Sequence, residues 1–243
     1  MKLSIVTPCF NSEKTIKKTI ESILMQNFEE LEYIVIDGGS SDSTLQIVKS
    51  YENRFENGIK IVSEKDDGIY DAMNKGISLA TGDIIGIINS DDYYEAGAFD
   101  EIKKAYEEAN DRKYLIIYGA VRIIDNNKEQ SVILYSHNNL PKQMILHQGC
   151  FVSRYVYEDK GKFDLQYKYS SDYDFMLRMY EDKEVIFKPI YNIVADFVLG
   201  GASGNGAAYV ETHKLWYKRG YITKRRFDFI KFKYKVAKLI RGK

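Results

Sequence analysis

The chain has 243 residues, of which 44% are hydrophobic and 29% are charged, a balance typical of a soluble globular protein with a full apolar core. Two cysteines without metal or redox spacing, and no apolar run near the ~20 residues of a membrane span, disfavour a disulfide-stapled mini-protein and an integral membrane protein. The formal net charge is zero, but residues 213–243 hold 12 Lys and Arg against one Asp. This tail therefore carries a net charge of +11, and residues 1–212 carry a net charge of −11. We therefore expect two surfaces with different partners.

The first ninety residues alternate short apolar, β-branched runs with amphipathic helical patterns. Strands are predicted at residues 3–7, 33–36, 59–62 and 84–88, and helices after residue 11 and at 44–51 and 70–80. The N-terminal residues run straight into the first strand, which is not the pattern of a signal peptide. Repeated β-α units predict a parallel sheet with right-handed crossovers.

The pattern changes after residue 111. Two strands, at 114–118 and 131–135, flank a turn at 125–127, and a loop carries His147 and Gln148. A helix opens at Ser170, a further strand is predicted at 193–198, and residues 205–240 are mostly helical in pattern.

Polar side chains stand where each of the first four predicted strands ends. They are Thr7, Asp37, Glu64 and the segment Asn89–Asp92. Open α/β sheets bind ligands outside the carboxyl ends of their strands, so these residues should line one crevice. For each cluster taken alone, ordinary turn chemistry is the alternative explanation.

Three carboxylates have the placement that chemistry at such a crevice requires. Asp91 and Asp92 directly follow a buried strand, and oxygen ligands on a short turn suit Mg²⁺ or Mn²⁺, although two plain turn aspartates are the alternative. Asp172 opens a helix, whose positive end stabilises an ionised carboxylate, so it can act as a general base or simply cap the helix. The first βα turn has no glycine, and neither a nicotinamide fingerprint nor a Walker loop is present.

In their order, four segments resemble the inverting family 2 glycosyltransferases, which have a GT-A fold. They are Ser4–Asn11, Val35–Thr44, Ser63–Gly76 and Asp83–Asp92, and the resemblance covers roughly residues 2 to 204. The third segment is similar to the subgroup that builds bacterial O-antigen, capsule and exopolysaccharide. The resemblance implies a Rossmann-like, mostly parallel sheet flanked by helices, with a nucleotide-sugar half at 1–110, an acceptor half at 111–204 and a basic helical tail at 205–243.

The resemblance also assigns roles to individual residues. Asp172 matches the catalytic base, Asp92 the ligand of Mn²⁺ or Mg²⁺, and Asp37 the group that binds the uracil edge. The nucleotide-sugar-binding positions are Thr7, Pro8, Phe10, Asn11, Asp37, Asp66, Lys75 and Asp91. The acceptor-side positions are His147, Gln148, Arg178, Gly200 and Gly201.

Three positions depart from the family's usual motifs. Gly38 stands where a second Asp is common after the second strand, Asn89 where the metal motif often begins with Asp, and Ser171 where the base motif has Glu. The O-antigen-like subgroup accommodates all three, so they do not indicate an inactive protein. The departure at Gly38 leaves open which group reads the uracil ring.

The implied reaction is an inverting transfer of a hexose or N-acetylhexosamine from a UDP-sugar to a hydroxyl of a saccharide carried on a polyprenyl diphosphate. The product would be a β-glycoside of a cell-surface polysaccharide. One alternative is a non-catalytic protein that binds sugar nucleotides. The other is a nucleotidyltransferase on a related fold, although residues 7–11 lack its Gly-rich, Arg-containing loop.

The tail has the pattern of an amphipathic helix. Lys224, Lys231, Lys235 and Lys238 fall along one stripe, and Phe229, Phe232, Val236, Leu239 and Ile240 fall on the other side. A basic helix with an apolar face suits an anionic membrane surface, which predicts a cytoplasmic protein bound peripherally to the inner face of the cell membrane. Packing on its own domain and pairing with another subunit are the alternatives, and nucleic acid is not expected as a partner.

Overall fold

The computed structural model describes residues 1–200 and 206–240. Its strands are β1 (Leu3–Cys9), β2 (Leu31–Asp37), β3 (Ile59–Ser63), β4 (Ile84–Ile87), β5 (Tyr93–Tyr94), β6 (Leu115–Asp125), β7 (Lys128–Ile133), β8 (Cys150–Ser153) and β9 (Ile186–Val198). Its α-helices are α1 (Ile16–Leu24), α2 (Thr44–Ser50), α3 (Ile69–Leu79), α4 (Ala98–Glu107), α5 (Arg154–Lys160), α6 (Ser171–Glu181), α7 (Gly206–Lys218) and α8 (Lys224–Ile240).

All the described strands belong to one sheet, in the order β3-β2-β1-β4-β8-β6-β9-β5, with β7 also paired to β6. The first four strands pair in parallel, as the repeated β-α pattern predicts. The short strand β8, which the sequence pattern does not reveal, runs antiparallel between β4 and β6. It joins the N-terminal parallel half to the later strands, so the whole forms one continuous sheet.

Helices cover both faces of the sheet, which explains why its central strands are apolar throughout. On one face, Leu3 and Ile5 of β1 pack with Ile16 and Ile20 of α1, all fully buried. On the other face, Val6 belongs to a core with side chains of α3, α5 and α6. This alternation along β1 is the period of a strand buried on both sides.

The basic tail forms two helices. Gly220, with a left-handed φ of +77°, follows α7 and separates it from α8. Leu215 of α7 is buried in the core beside α6, and Trp216 Nε1 donates a hydrogen bond to Tyr173 OH over 3.1 Å. Helix α8 packs beyond α7 through a small cluster that includes Phe227 and Ile230. The first part of the tail is therefore held against the body of the protein.

Within residues 1–200 and 206–240, no helix combines the length and the apolar character needed to cross a bilayer.

Candidate active site

The loops after β1 and β4 meet at one edge of the sheet. The strand order reverses between these two strands, and a crevice opens at such a switch point in α/β sheets. The hydroxyls of Ser12 and Ser90 lie 2.7 Å apart, and Thr19 Oγ1 donates to the Asp92 carbonyl over 2.7 Å. These contacts hold the Asp91–Asp92 turn beside the end of β1.

Asp37 supports this edge from inside the protein. Its side chain has no exposed surface, and its two oxygens accept hydrogen bonds from Ser40 Oγ and Ser63 Oγ at 2.5 and 2.6 Å. Thr7 is equally buried and accepts a hydrogen bond from Tyr33 OH, while Pro8 is buried in β1. Thr7, Pro8 and Asp37 are therefore buried at the ends of β1 and β2, and their predicted contact with the nucleotide stays a prediction.

Phe10 and Asn11 reach the surface of the crevice. The Phe10 side chain is 61% exposed, and Asn11 adopts a left-handed φ of 48° and accepts a hydrogen bond from the Ser41 amide. A Cβ at Gly38 would lie 2.9 Å from Asp66 Oδ2 and 3.4 Å from the Phe10 ring. Because Gly38 has no side chain, the Asp66 carboxylate can lie beside Phe10.

Lys75 fixes the loop that carries Asp66. Its ammonium lies 2.6 Å from Asp66 Oδ1, 2.9 Å from Glu64 Oε1 and 3.3 Å from Asp71 Oδ2. Hydrogen bonds that Lys75 donates to Asp66, Glu64 and Asp71 raise the pKa of Lys75 above its usual value, so it stays charged at any pH at which the protein functions. One cation thus gathers three carboxylates and holds the loop against the end of β2.

Asp92 is enclosed by hydrogen-bond donors. Only 1% exposed, it accepts bonds on Oδ2 from Gln148 Nε2 at 2.9 Å and Asn89 Nδ2 at 3.2 Å, and on Oδ1 from the Val198 amide at 2.9 Å. Burial and the neighbouring Asp91 carboxylate raise the pKa of Asp92 to about 7. Both oxygens of Asp92 thus have donors within the protein, and its role as the metal ligand, which the resemblance assigns, stays a prediction.

Asp91 is the more accessible of the two carboxylates. It is only partly buried, and no side-chain hydrogen bond to its carboxylate occurs within the described part of the chain. In those residues no three His, Cys, Asp or Glu side chains converge on a common ion. An ion at Asp91 would therefore complete its shell with substrate oxygens and water, the coordination that Mg²⁺ commonly adopts.

Asp172 lies in the first turn of α6 and is held by donors from three segments. Tyr70 OH and the Tyr173 amide donate to Oδ1, each over 2.8 Å, and His147 Nδ1 lies 3.2 Å from Oδ2. His147 and Gln148 are consecutive in one 3₁₀ turn, so a single turn touches both Asp172 and Asp92. These two residues, predicted on the acceptor side, therefore lie between the predicted base and the Asp91–Asp92 turn. The hydrogen bond between Tyr70 and Asp172 is not predictable from the sequence.

The remaining predicted residues lie away from this centre or outside the described residues. Arg178 donates from Nε to Asp174 Oδ2 and from Nη1 to the Lys160 carbonyl, so it binds neighbouring segments of the chain, and its acceptor-side role stays a prediction. Asp174 is also paired with Arg219 Nη2 at 2.9 Å. Gly200 is exposed with φ +120°, and Gly201 lies outside the described residues.

Comparison with known proteins identifies the family. Residues 4–209 match the model of the family described as "Glycosyl transferase family 2". A PGL/p-HBAD biosynthesis glycosyltransferase of Mycobacterium bovis is 29% identical over 202 residues, which are 82% of this chain and 78% of that protein. The chondroitin synthase of Escherichia coli is 30% identical over 210 residues, 82% of this chain and 29% of that protein.

Solved structures show the same fold. S. aureus TarS 1–349 in complex with UDP-GlcNAc superposes with a TM-score of 0.73 at 18% identity, covering 95% of this chain and 70% of that chain. The mannosyltransferase PcManGT from Pyrobaculum calidifontis, in complex with GDP-Man and Mn²⁺, gives a TM-score of 0.63 at 18% identity, over 87% and 60% of the two chains. The expected GT-A fold, a mixed sheet flanked by helices, is confirmed. The match of the family model over most of the chain shows that this protein belongs to glycosyl transferase family 2.

Proposed function

We propose that this family 2 glycosyltransferase is an inverting enzyme that moves a hexose or an N-acetylhexosamine from a UDP-sugar to a hydroxyl of a saccharide acceptor. The observation that carries the proposal is the turn at His147 and Gln148, which joins the Asp172 carboxylate to the Asp91–Asp92 turn. A base and a diphosphate-binding carboxylate then flank one crevice. The product belongs to cell-surface polysaccharide or glycolipid biosynthesis, as do the relatives by their names.

The donor lies on the half of the crevice formed by the ends of β1, β2 and β4. Phe10 offers an exposed ring to the nucleobase, and Lys75 holds the Asp66 loop beside it. A Mn²⁺ or Mg²⁺ held by Asp91 would neutralise charge on the diphosphate of the leaving UDP. The TarS complex with UDP-GlcNAc and the PcManGT complex with Mn²⁺ support a sugar nucleotide and a divalent ion in this fold.

Asp172 acts as the general base. As the acceptor oxygen attacks the anomeric carbon, Asp172 takes its proton, the bond from that carbon to the diphosphate oxygen breaks, and UDP leaves. Attack and departure occur on opposite faces of the sugar, so an α-linked donor gives a β-glycoside. The buried negative charge of Asp172 is stabilised by two hydrogen-bond donors on Oδ1 and by His147 on Oδ2.

A donor screen tests the proposal. The purified protein is incubated with UDP-glucose, UDP-galactose, their N-acetyl forms and GDP-mannose, with Mn²⁺ and a bacterial lipid-linked acceptor extract, and nucleotide release is measured. We expect acceptor-dependent release of UDP from one UDP-sugar and a β-configured product by NMR. Binding of the sugar nucleotide without release would support the non-catalytic alternative, and an α-configured product would contradict inversion.

Helix α8 supports a lipid-linked acceptor. It carries seven Lys and Arg against Asp228. Its inner side packs on α7, while a stripe of apolar side chains on the outer side is 36–82% exposed: Phe229, Phe232, Val236 and Leu239. Basic side chains around an exposed apolar stripe match the surface of an anionic bilayer, where each contributes about 1 kcal/mol. The enzyme would then work peripherally at the membrane that holds its acceptor.

Vesicle sedimentation tests this membrane contact. We expect binding to vesicles with anionic lipid that weakens at high salt, and little binding to neutral vesicles. The double variant Phe232→Ser, Leu239→Ser should lose it, whereas Leu165→Ser, at a leucine that is 52% exposed elsewhere on the surface, should not. Binding that ignores lipid charge, or self-association lost in the α8 variant, would favour another partner, such as a second copy of the chain.

A further inference from the structure

We propose that Tyr70 and His147 are positioning residues that hold the Asp172 carboxylate in the orientation required for proton transfer. This inference rests on the proposed function, in which Asp172 is the base. It assigns a task to a tyrosine 102 positions away in the chain and moves His147 from the acceptor side to the base itself.

Tyr70 is a permanent donor to Asp172. It lies in the first turn of α3, is 7% exposed, and its ring packs 5.6 Å from that of Phe163. Burial and the adjacent Asp172 carboxylate raise the pKa of Tyr70 far above its usual value, so its hydroxyl keeps its proton. Since an ionised carboxylate only accepts, the 2.8 Å contact is a hydrogen bond from Tyr70 OH to Oδ1.

His147 supplies a contact on the other oxygen. Its Nδ1 lies 3.2 Å from Asp172 Oδ2, and the ionised carboxylate requires that Nδ1 carry the proton. The ring has little freedom to turn, because Gln148, the next residue, is anchored on Asp92 and only 14% of the His147 side chain is exposed. Its Nε2 is buried and has no hydrogen-bond partner among the described residues, which leaves His147 poorly placed to take the proton itself.

The two contacts leave one oxygen of Asp172 for the acceptor. Oδ1 already accepts from Tyr70 OH and the Tyr173 amide, which saturates it. Oδ2 has only His147, and the side chain remains 10% exposed. The acceptor hydroxyl therefore meets Oδ2, in a direction set by Tyr70 and His147.

Among the described residues, ionisable groups face Asp172 from three neighbouring elements. Tyr70 faces it from α3, His147 from the 3₁₀ turn and the Cys150 thiol from β8. His147 in turn interacts with Asp91 and Asp92. Burial, with Asp172 nearby, raises the pKa of Cys150 far above its usual range, so the thiol stays neutral and does not compete.

The experiment compares Tyr70→Phe, His147→Ala and His147→Asn with the wild type, using the UDP-sugar identified by the donor screen. Tyr70→Phe should lower kcat about tenfold and move the acid limb of the kcat/KM profile up by about one pH unit, because the ionised carboxylate loses a donor. UDP affinity and the melting temperature should change little. His147→Ala should also lower kcat, and His147→Asn should restore part of it, because the asparagine amide can place a donor near the position of Nδ1.

Tyr114→Phe is the matched control, since its hydroxyl bonds to Asp159 at the surface, and it should behave as the wild type. Asp172→Asn distinguishes failure of the positioning role from failure of the base assignment. If Asp172→Asn is inactive while Tyr70→Phe and His147→Ala keep their kcat and pH profile, the positioning role is wrong and the proposed function stands. If Asp172→Asn is fully active, the base assignment itself fails. Equal losses of stability and UDP affinity, without a change in the pH profile, would reduce both residues to structural supports and overturn the proposal.

Discussion

Gln148 Nε2 donates a hydrogen bond to Asp92 Oδ2 over 2.9 Å, and both side chains are only 1% exposed. With Asn89 and Val198 completing the ring of donors, the second aspartate of the pair becomes part of the framework. Asp91, one residue earlier, is left as the carboxylate that a divalent ion can reach. We therefore propose that Asp92 supports the turn and that Asp91 binds the ion.

The division predicts opposite results for the two aspartates. Asp91→Asn should leave the melting temperature unchanged but make UDP affinity the same with Mn²⁺ as with EDTA, because it removes an ionic oxygen ligand. Asp92→Ala should lower stability while a remaining folded fraction keeps its response to Mn²⁺. Calorimetric titration of UDP with and without the metal measures both, and loss of the metal response in Asp92→Ala alone would return the ion to Asp92.

Removing the partner of Asp92 should be costly. Gln148→Ala leaves a buried carboxyl group short of a donor, and we expect the free energy of unfolding to fall by about 1–3 kcal/mol. Urea denaturation at neutral pH measures the change. Gln130→Ala, at an exposed position of β7, serves as the control and should stay within about 0.5 kcal/mol of the wild type.

Replacing Lys75 should weaken nucleotide binding but change the rate of the chemical step much less. Lys75→Met releases Asp66, Glu64 and Asp71 from their common cation, so the loop must be ordered when the nucleotide binds. We expect UDP to bind about tenfold more weakly, with a much smaller change in kcat at saturating donor. Lys65→Met, an exposed lysine of the same loop, is the matched control, and equal effects of the two variants would show that only loop charge matters.

Glu32 gives the fold a defined dependence on pH. Burial acts to raise its pKa, but hydrogen bonds from Lys60, Ser4 and Thr81 outweigh it and lower the pKa from 4.5 to about 2. Because the folded value is depressed, the stabilisation is complete above pH 4.5 and is lost as the pH falls toward 2. Glu32→Gln should therefore cost about 2 kcal/mol at pH 7 and progressively less between pH 5 and pH 3. A difference in unfolding free energy that stays constant over that range would contradict this assignment.

The sequence predicted what depends on local pattern. The apolar runs of β1–β4 and the polar residues at their ends indicated both the parallel half of the sheet and the edge at which the site lies. Asp172 was placed correctly at the start of a helix, with Ser170 preceding it. These features follow from periodicity and turn chemistry within a few residues, which sequence alone can reveal.

What the sequence could not show depends on distant partners. Asp92 is enclosed by Gln148 and Val198, which lie 56 and 106 positions further along the chain, so its burial has no local signature. Strand β8 has four residues and pairs with strands from both halves of the chain, too short a run for a periodic signal. The break between α7 and α8 did have a signal, since Gly220 follows two basic residues in the arrangement of a helix C-terminus.

The single-turnover rate of sugar transfer by Asp172→Asn, at saturating UDP-sugar, shows whether Asp172 is the general base. Asparagine preserves the size of the side chain and an oxygen for the Tyr70 hydrogen bond, but it cannot take a proton. We predict a rate about 10²–10⁴ lower than that of the wild type, with UDP affinity within about twofold. A transfer rate near that of the wild type would show that Asp172 is not the base.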